Sequence, residues 1–192
     1  MTNKPNLILD LDETLVKSFV YFITDSSTKI STCDYNDELL LLSYDFGNSK
    51  TIIYKRPFLF DFLLEMNQHF NISVYSLGHK YYVNMIVNKI NEIIGYNIFK
   101  NVHSNNPHKM IYYKNLKSLK IEMFDDNCMI IDDRIDVWWY DSYKVYHIKQ
   151  YDIPSDDDIE LLRLIIKIKK YIESHEKIDC NELLLSLLQF TL

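Results

Sequence analysis

Two aspartates, Asp10 and Asp12, interrupt the opening run Asn6–Ser18, NLILDLDETLVKS. Three apolar residues, Leu7, Ile8 and Leu9, lead straight into them. Along an extended strand, residues i and i+2 point to the same side, roughly 7 Å apart at about 3.3 Å per residue. The two carboxylates can therefore face one ligand. Such a pair offers a nucleophile and an acid/base, provided a cation absorbs the repulsion. A second acidic pair, Asp132 and Asp133, closes the apolar run that starts at Cys128, and Ser76 closes a third, NISVYS. Carboxylate oxygens gathered at one place suit Mg²⁺, a hard ion that keeps several waters.

Such groups converge only if the chain brings three strand ends together. Leu7–Leu9, Asn71–Ser76 and Cys128–Asp132 read as short buried strands. Ser18–Ile23 (SFVYFI) and Lys144–Ile148 (KVYHI) read as strands, and so does Asn97–His103. Glu38–Tyr44 and Lys50–Lys55 form the arms of a hairpin, with Asp45, Gly47, Asn48 and Ser49 in the turn. Pro57 suits the first turn of a helix carrying Phe58, Phe62, Leu63 and Met66. A second helix spans about 80–94 and stops at Gly95. Lys114–Leu119 reads as a turn or two of helix, and His79 as a helix start. Two helices close the chain, over about 155–190. Ser155 with Asp158 marks a capping-box-like start for the first, with a stripe of Ile159, Leu162, Ile166 and Ile172. Asp179 and Glu182 repeat that logic for the second. The acidic run Asp156–Asp158 is explained by the helix dipole, and Lys167–Lys170 by a solvated helix face. Strands alternating with helices imply an α/β domain, a mostly parallel sheet with helices on both faces. In such sheets the ligand lies beyond the carboxyl ends of the strands, where Asp10, Ser76 and Asp132 stand.

The 192 residues suit a single domain over 1–192. Hydrophobic content of 47% and charged content of 25% are those of a globular protein. The net charge of −6 argues against nucleic acid as a partner. Apolar runs fall far short of the roughly 20 residues that cross a bilayer, so no membrane span is expected. The N-terminus lacks a signal peptide's apolar core. Cys33, Cys128 and Cys180 show no CxxC spacing, which predicts no disulfide framework, no zinc site and an intracellular setting, nucleus or cytoplasm. The chain contains no alanine and is rich in Asn, Ile, Lys and Tyr. That bias points to AT-rich coding sequence, of the kind found in viruses and parasites.

The motifs resemble a known family. LDLDETLV (Leu9–Val16) resembles the DxDxT motif of the haloacid-dehalogenase (HAD) superfamily, above all in the small phosphatases of the RNA polymerase II C-terminal domain. KRPFLFDFLLEM (Lys55–Met66) is similar to their RP…FL helix, and VYSLGHKYY (Val74–Tyr82) to their second motif. YKNL (Tyr113–Leu116) resembles the segment bearing the third-motif lysine, and IIDDRIDVW (Ile130–Trp138) the fourth motif. Asp156–Leu164 is similar to their acidic, Leu-rich terminal helix. The resemblance implies a Rossmann-like HAD fold with a small β insertion at about 16–55. It also implies that Asp10 attacks phosphorus and forms an aspartyl-phosphate. Asp12 would protonate the leaving oxygen and then activate water. Asp10, the Asp12 backbone carbonyl and Asp133 would hold Mg²⁺. Lys114 would neutralise the phosphoryl charge and Asp132 would orient Lys114. Ser76, Gly78, Lys114 and Thr14 form the implied substrate-binding set, Thr14 steadying the loop. Trp138 and Trp139 read as packing aromatics.

What enters such a site depends on what covers it, because a lid must close over a small substrate to exclude water. The Ser76–Lys114 gap is filled by one helix, one strand and a loop. The 16–55 segment is too short and too β-rich for a helical cap. The expected substrate is therefore a phosphoserine or phosphothreonine in an extended peptide, such as the polymerase tail. Family members often grip phosphate with an arginine between the second and third motifs. Asn97–Met110 has none and offers only Lys100, His103 and Lys109. That substitution keeps a phosphopeptide-binding or scaffold module without useful turnover as one alternative. A small-molecule phosphatase is the other, disfavoured by the missing cap.

Overall fold

The computed structural model describes residues 4–22, 37–105, 112–119 and 127–189. Among them, eight strands run in chain order: β1 (Asn6–Leu9), β2 (Val16–Phe22), β3 (Leu40–Phe46), β4 (Ser49–Lys55), β5 (Asn71–His79), β6 (Asn101–Asn105), β7 (Cys128–Asp132) and β8 (Val145–His147). Four α-helices accompany them: α1 (Leu59–His69), α2 (Lys80–Ile94), α3 (Glu160–Ser174) and α4 (Cys180–Gln189). The strands form a five-stranded parallel sheet, ordered β6-β5-β1-β7-β8, and a three-stranded antiparallel sheet, ordered β2-β4-β3.

β1 takes the centre of the parallel sheet because its side chains are apolar on both faces, as a strand covered on both sides requires. Leu7, Ile8 and Leu9 are all fully buried. Leu7 pairs with Ile72 and Met129, and Leu9 with Val74 and Ile131. The alternation divides the interior. Leu7, Leu9, Ile72, Val74, Met129 and Ile131 join the main core with residues of all four helices. Ile8 and Ile130 join a smaller core with Tyr75, Leu116, Val137 and Trp138. Each buried Leu or Ile contributes about 1.5–3 kcal/mol.

The predicted hairpin forms, with β3 and β4 joined across Gly47, whose φ of +59 is the left-handed conformation a tight turn needs. α2 ends at Gly95, which donates its N–H to the Asn91 carbonyl (2.8 Å). His79 caps that helix, its Nδ1 accepting from the Tyr81 N–H (3.3 Å).

The hairpin arms run Leu40–Phe46 and Ser49–Lys55, so Asp45 and Ser49 of the expected turn are strand residues, and other boundaries differ from expectation too. α1 begins at Leu59, after Pro57, and Phe58 sits left-handed at φ 62. β5 continues past Ser76 to His79, and β6 begins at Asn101 rather than Asn97. Only Leu116–Leu119 of the segment from Lys114 forms a helical turn, of 3-10 type. α3 starts at Glu160, not Ser155. The N-cap position is Ile159, whose side chain caps nothing, and the Glu160 N–H is met by Asp158 Oδ1 (3.1 Å) one residue earlier, so the helix starts later than the capping-box reading. Its buried face is Leu161, Leu164, Ile168 and Tyr171, whereas Ile166 of the predicted stripe is 59% exposed. Asp179 does cap α4, its Oδ1 accepting from the Asn181 and Glu182 N–H groups. Cys128 and Cys180 are buried cysteines outside any disulfide, and Cys33 lies outside the described residues. No described helix is long and apolar enough to cross a membrane.

Candidate active site

β1 delivers the first reactive group. Its ladder continues one residue beyond the strand, the Asp10 N–H donating to the Ile131 carbonyl (3.0 Å). The chain then folds back sharply. The N–H groups of Leu15 and Val16 both donate to the Leu11 carbonyl (2.9 and 3.0 Å). Glu13 takes a left-handed conformation, φ 62, rare for a residue with a side chain and costing about 1–3 kcal/mol. It is held there from outside: the Tyr151 N–H donates to the Glu13 carbonyl (2.7 Å), and Lys17 and Gln150 hold its carboxylate.

Lys114 enters from the opposite side of the sequence. Its N–H donates to the Val137 carbonyl (2.7 Å), which fixes where the side chain starts. Its ammonium contacts Asp10 Oδ1 and lies 2.6 Å from Asp132 Oδ2. The rings of Trp138 and Tyr75 lie 5.5 and 5.9 Å from it. Asp132 is spent on structure. Its Oδ2 accepts from Lys114 and from the Trp138 indole N–H (2.7 Å), and its Oδ1 from the Arg134 N–H (2.8 Å).

Asp133 is different. The Thr14 hydroxyl donates to its Oδ1 and accepts its backbone N–H, both at 3.0 Å. Its Oδ2 is buried and has no partner among the described residues. A buried carboxylate oxygen left without a donor is costly, unless a cation completes it. Ligand atoms of Asp10, Asp132 and Asp133 all lie within 4.8 Å of one another. Because Asp132 is fully bonded, the open donors are Asp10 and Asp133, and they fit a hard cation.

Ser76 Oγ accepts the Gly78 N–H (2.9 Å) and lies 3.4 Å from Asp12 Oδ2. Asp12 Oδ1 accepts the Tyr82 hydroxyl, which in turn meets Ser18 Oγ. Gly78 has no room for a side chain. A Cβ there would stand 3.0 Å from Ser76 Oγ and 3.1 Å from the Tyr82 ring. Gly78→Ala is therefore expected to displace both neighbours. It should cost about 1–3 kcal/mol by overpacking, and it should lower kcat before it raises KM, measured by steady-state kinetics beside a thermal melt.

Asp10, Asp12, Ser76, Gly78, Lys114, Asp132 and Asp133 thus line one pocket of about 140 Å³, with Glu13, Arg134 and Val137. Thr14 does not join them: it is fully buried behind Asp133 and cannot touch a substrate. Gly78 lines the wall, but its N–H is already committed to Ser76. Lys100 and His103, considered for gripping phosphate, stay outside the lining, and Lys109 lies outside the described residues. Among the described residues the cations on the lining are Lys114 and Arg134. Sequence reading missed Tyr82 as a partner of Asp12, Trp138 as a partner of Asp132, and Arg56. The Arg56 side chain is fully buried and reaches Thr14, Lys149 and Asp158.

The profile of the NLI interacting factor-like phosphatases matches residues 5–180. This chain belongs to that family. An arginine-to-alanine variant of the fission yeast RNA polymerase II CTD phosphatase Fcp1, bound to beryllium fluoride, superposes with a TM-score of 0.57 at 21% identity. That match covers 89% of this chain and 51% of the Fcp1 chain. A second structure, of Fcp1 described as an essential RNA polymerase II CTD phosphatase, gives 0.58 at 20% identity, covering 91% and 55%. The chain therefore spans about half the length of these structures, and the likeness shows a shared HAD-type α/β fold. No curated protein sequence matches significantly.

In this NLI interacting factor-like phosphatase domain the pocket is too acidic to be fully ionised unaided. Burial pushes the Asp10 carboxyl up to about 8, against the opposing pull of Lys114. Burial also raises Asp12, opposed by hydrogen bonds from Tyr82 and Ser76, and raises Asp133, opposed by Thr14. Lys114 is the group that keeps its charge. Burial drives it down, but Asp10 and Asp132 outweigh that and raise it. Between about pH 4 and about 8 the folded chain thus holds more protons than the unfolded chain. Its stability falls as pH rises through that window. A cation replaces those protons, so it helps most where they are hardest to keep. Added Mg²⁺ should raise the melting temperature more at about pH 8 than at about pH 5.5. Calorimetry at the two pH values checks this; an equal or opposite effect would place the ion elsewhere.

Proposed function

We propose that this protein is a Mg²⁺-dependent phosphoserine/phosphothreonine phosphatase that works through an aspartyl-phosphate on Asp10. One observation carries the reading. The Asp10 carboxylate contacts a buried lysine, and a carboxylate oxygen of Asp133, whose Oδ2 is buried without a partner among the described residues, lies within 4.8 Å of it. Phosphoryl transfer depends mainly on positioning and charge compensation.

Lys114 holds Asp10 Oδ1, so Oδ2 attacks phosphorus. Asp12, whose hold on a proton is strengthened by burial, gives that proton to the leaving serine or threonine oxygen, then takes one from the water that cleaves the acyl-phosphate. Ser76 Oγ donates to a phosphoryl oxygen, its orientation set by the Gly78 N–H. Asp132 and Trp138 keep Lys114 aimed at the reaction. Asp10, Asp133 and the Asp12 carbonyl would hold Mg²⁺, which when bound supplies positive charge to the phosphoryl oxygens.

The pocket volume argues for a macromolecular substrate. About 140 Å³ holds a phosphoryl group, whereas sites that enclose a whole small ligand run to ~300–1,000 Å³. The rest of the substrate must lie outside, as an extended peptide does. The Fcp1 proteins are described as RNA polymerase II CTD phosphatases, so a phosphorylated polymerase tail is the first substrate to try. The test is hydrolysis of p-nitrophenyl phosphate with and without Mg²⁺, followed by a phosphorylated heptad peptide against nucleotides. Mg²⁺-dependent turnover that favours the peptide is expected. Nucleotide preference would indicate a small-molecule phosphatase. Peptide binding without turnover would indicate a scaffold module, a reading favoured by the lack of an arginine in 97–105.

A further inference from the structure

Among the described residues, the side chain of the proposed acid/base, Asp12, has no hydrogen bond from the backbone and no salt bridge; its contacts are Tyr82 and Ser76. Its firm contact is the Tyr82 hydroxyl, which meets Oδ1, and the same oxygen of Tyr82 meets Ser18 Oγ. These three side chains come from three places: the loop after β1, the first turn of α2, and β2 of the small antiparallel sheet. Ser76 holds the other oxygen more loosely. Its hydroxyl donates to Oδ2 across 3.4 Å, the outer limit of a hydrogen bond, while its oxygen accepts the Gly78 N–H.

A carboxyl group with one free torsion can present either oxygen to a substrate, because that torsion is broad and roughly two-fold. A donor fixed on Oδ1 removes the ambiguity. The phenol is itself fixed. Ser18 holds its oxygen, and the ring sits so close to Gly78 that a Cβ there would come within 3.1 Å. Oδ1 is then held by the phenol, and Oδ2, with the long Ser76 contact, is the oxygen placed to carry the transferable proton.

We propose that Tyr82, braced by Ser18, is a positioning residue that aims the Asp12 proton at the leaving oxygen; the proposal rests on the phosphatase reading above. In the step concerned, a bond forms between Asp10 and phosphorus and the bond from phosphorus to the serine oxygen breaks. The proton on Asp12 Oδ2 passes to that serine oxygen. The small β sheet is thereby more than a wall beside the site: through Ser18 it braces the acid.

A positioning role has a signature that loss of structure lacks. An alkoxide such as serine's needs the proton as it leaves, whereas p-nitrophenolate leaves readily without it. kcat/KM reads the first chemical step, so it separates this role from the later attack by water. The experiment compares wild type, Tyr82→Phe and Ser18→Ala on a phosphoserine peptide and on p-nitrophenyl phosphate, with Mg²⁺ present. Tyr82→Phe should lose about 10- to 100-fold in kcat/KM on the peptide, within the range of general-acid catalysis, and at least about tenfold less than that on p-nitrophenyl phosphate. Ser18→Ala should shift the ratio the same way by a smaller factor. Because Ser18 lies half-buried on β2, its variant answers the question even if Tyr82→Phe folds poorly. Equal losses on both substrates, or an unchanged ratio in the two variants, would overturn the role of Tyr82 and leave the phosphatase reading standing. A wild type inert on both substrates would overturn that reading and this proposal with it.

Discussion

Asp10→Asn abolishes turnover, with an expected loss on the order of 10⁴-fold or more, as when a covalent nucleophile is removed. The change is close to isosteric, so little else moves. Lys114 keeps its 2.6 Å partner Asp132, and the Asp10 N–H keeps its ladder bond to Ile131. What disappears is an ionisable oxygen able to form a bond to phosphorus, because an amide is a poor nucleophile. Rapid-quench kinetics with a labelled phosphopeptide checks both consequences. Wild type should show a transient acid-stable label on the protein, and the variant none. Near-normal rates in the variant would refute Asp10 as nucleophile.

Arg56→Ala should be the most destabilising single change outside the hydrophobic core. The side chain is fully buried and occupied on every side. Nε and Nη2 grip Asp158 in a fork, both at 2.9 Å. Nη1 donates to the Thr14 carbonyl (3.0 Å), and Nη2 also donates to the Lys149 carbonyl (2.7 Å). The guanidinium lies 5.3 Å from the Tyr151 ring. Removing it strands a carboxylate and two carbonyls, which costs about 3–5 kcal/mol. For a domain of this size that corresponds to a fall of roughly 6–20 °C in Tm. Arg56→Lys should recover little, because an ammonium lacks the fork. The exposed pair Arg134–Asp136, 2.7 Å apart, provides the contrast: breaking it should cost no more than about 1 kcal/mol. A chemical denaturation series over the three variants checks this; a loss under about 1 kcal/mol for Arg56→Ala would contradict the buried-clamp account.

The parts that were legible in the sequence share a property: their signal is local. β1 and β7 are apolar runs closed by acid, and α2 is a clean helical period with a glycine at its end. The four carboxylates stand beside those strand ends, so their meeting follows from parallel topology. α3 misled because apolar residues lie on more than one side of it. Leu161, Leu162, Leu164, Ile165, Ile166, Ile168 and Ile172 support several stripes, and packing against α1 and α4 chooses the Leu161–Leu164–Ile168–Tyr171 face. The start of β6 misled because Ile98 and Phe99 are buried without being strand. Tyr82 and Arg56 were invisible for a different reason. Their partners lie 70 and 102 residues away, and no window of sequence contains both ends. Arg56 beside Pro57, together with the Asp156–Asp158 run, was the nearest thing to a clue; Asp158 accepts the first N–H of a helix as its composition suggests, and it also anchors that arginine.

Thr14 and Asp133 are joined by two hydrogen bonds across 119 residues, and β1 sits between strands that appear much later in the chain. On a translating ribosome, β1 emerges first and has nothing to pair with until β5 and then β7 have left the exit tunnel. A nascent chain halted before residue 133 carries both aspartates of the first motif yet lacks the partner that completes them. Contacts of such high sequence separation also fold slowly. The cluster of Asp10, Asp132 and Asp133 can therefore assemble only in a chain that has grown past residue 133.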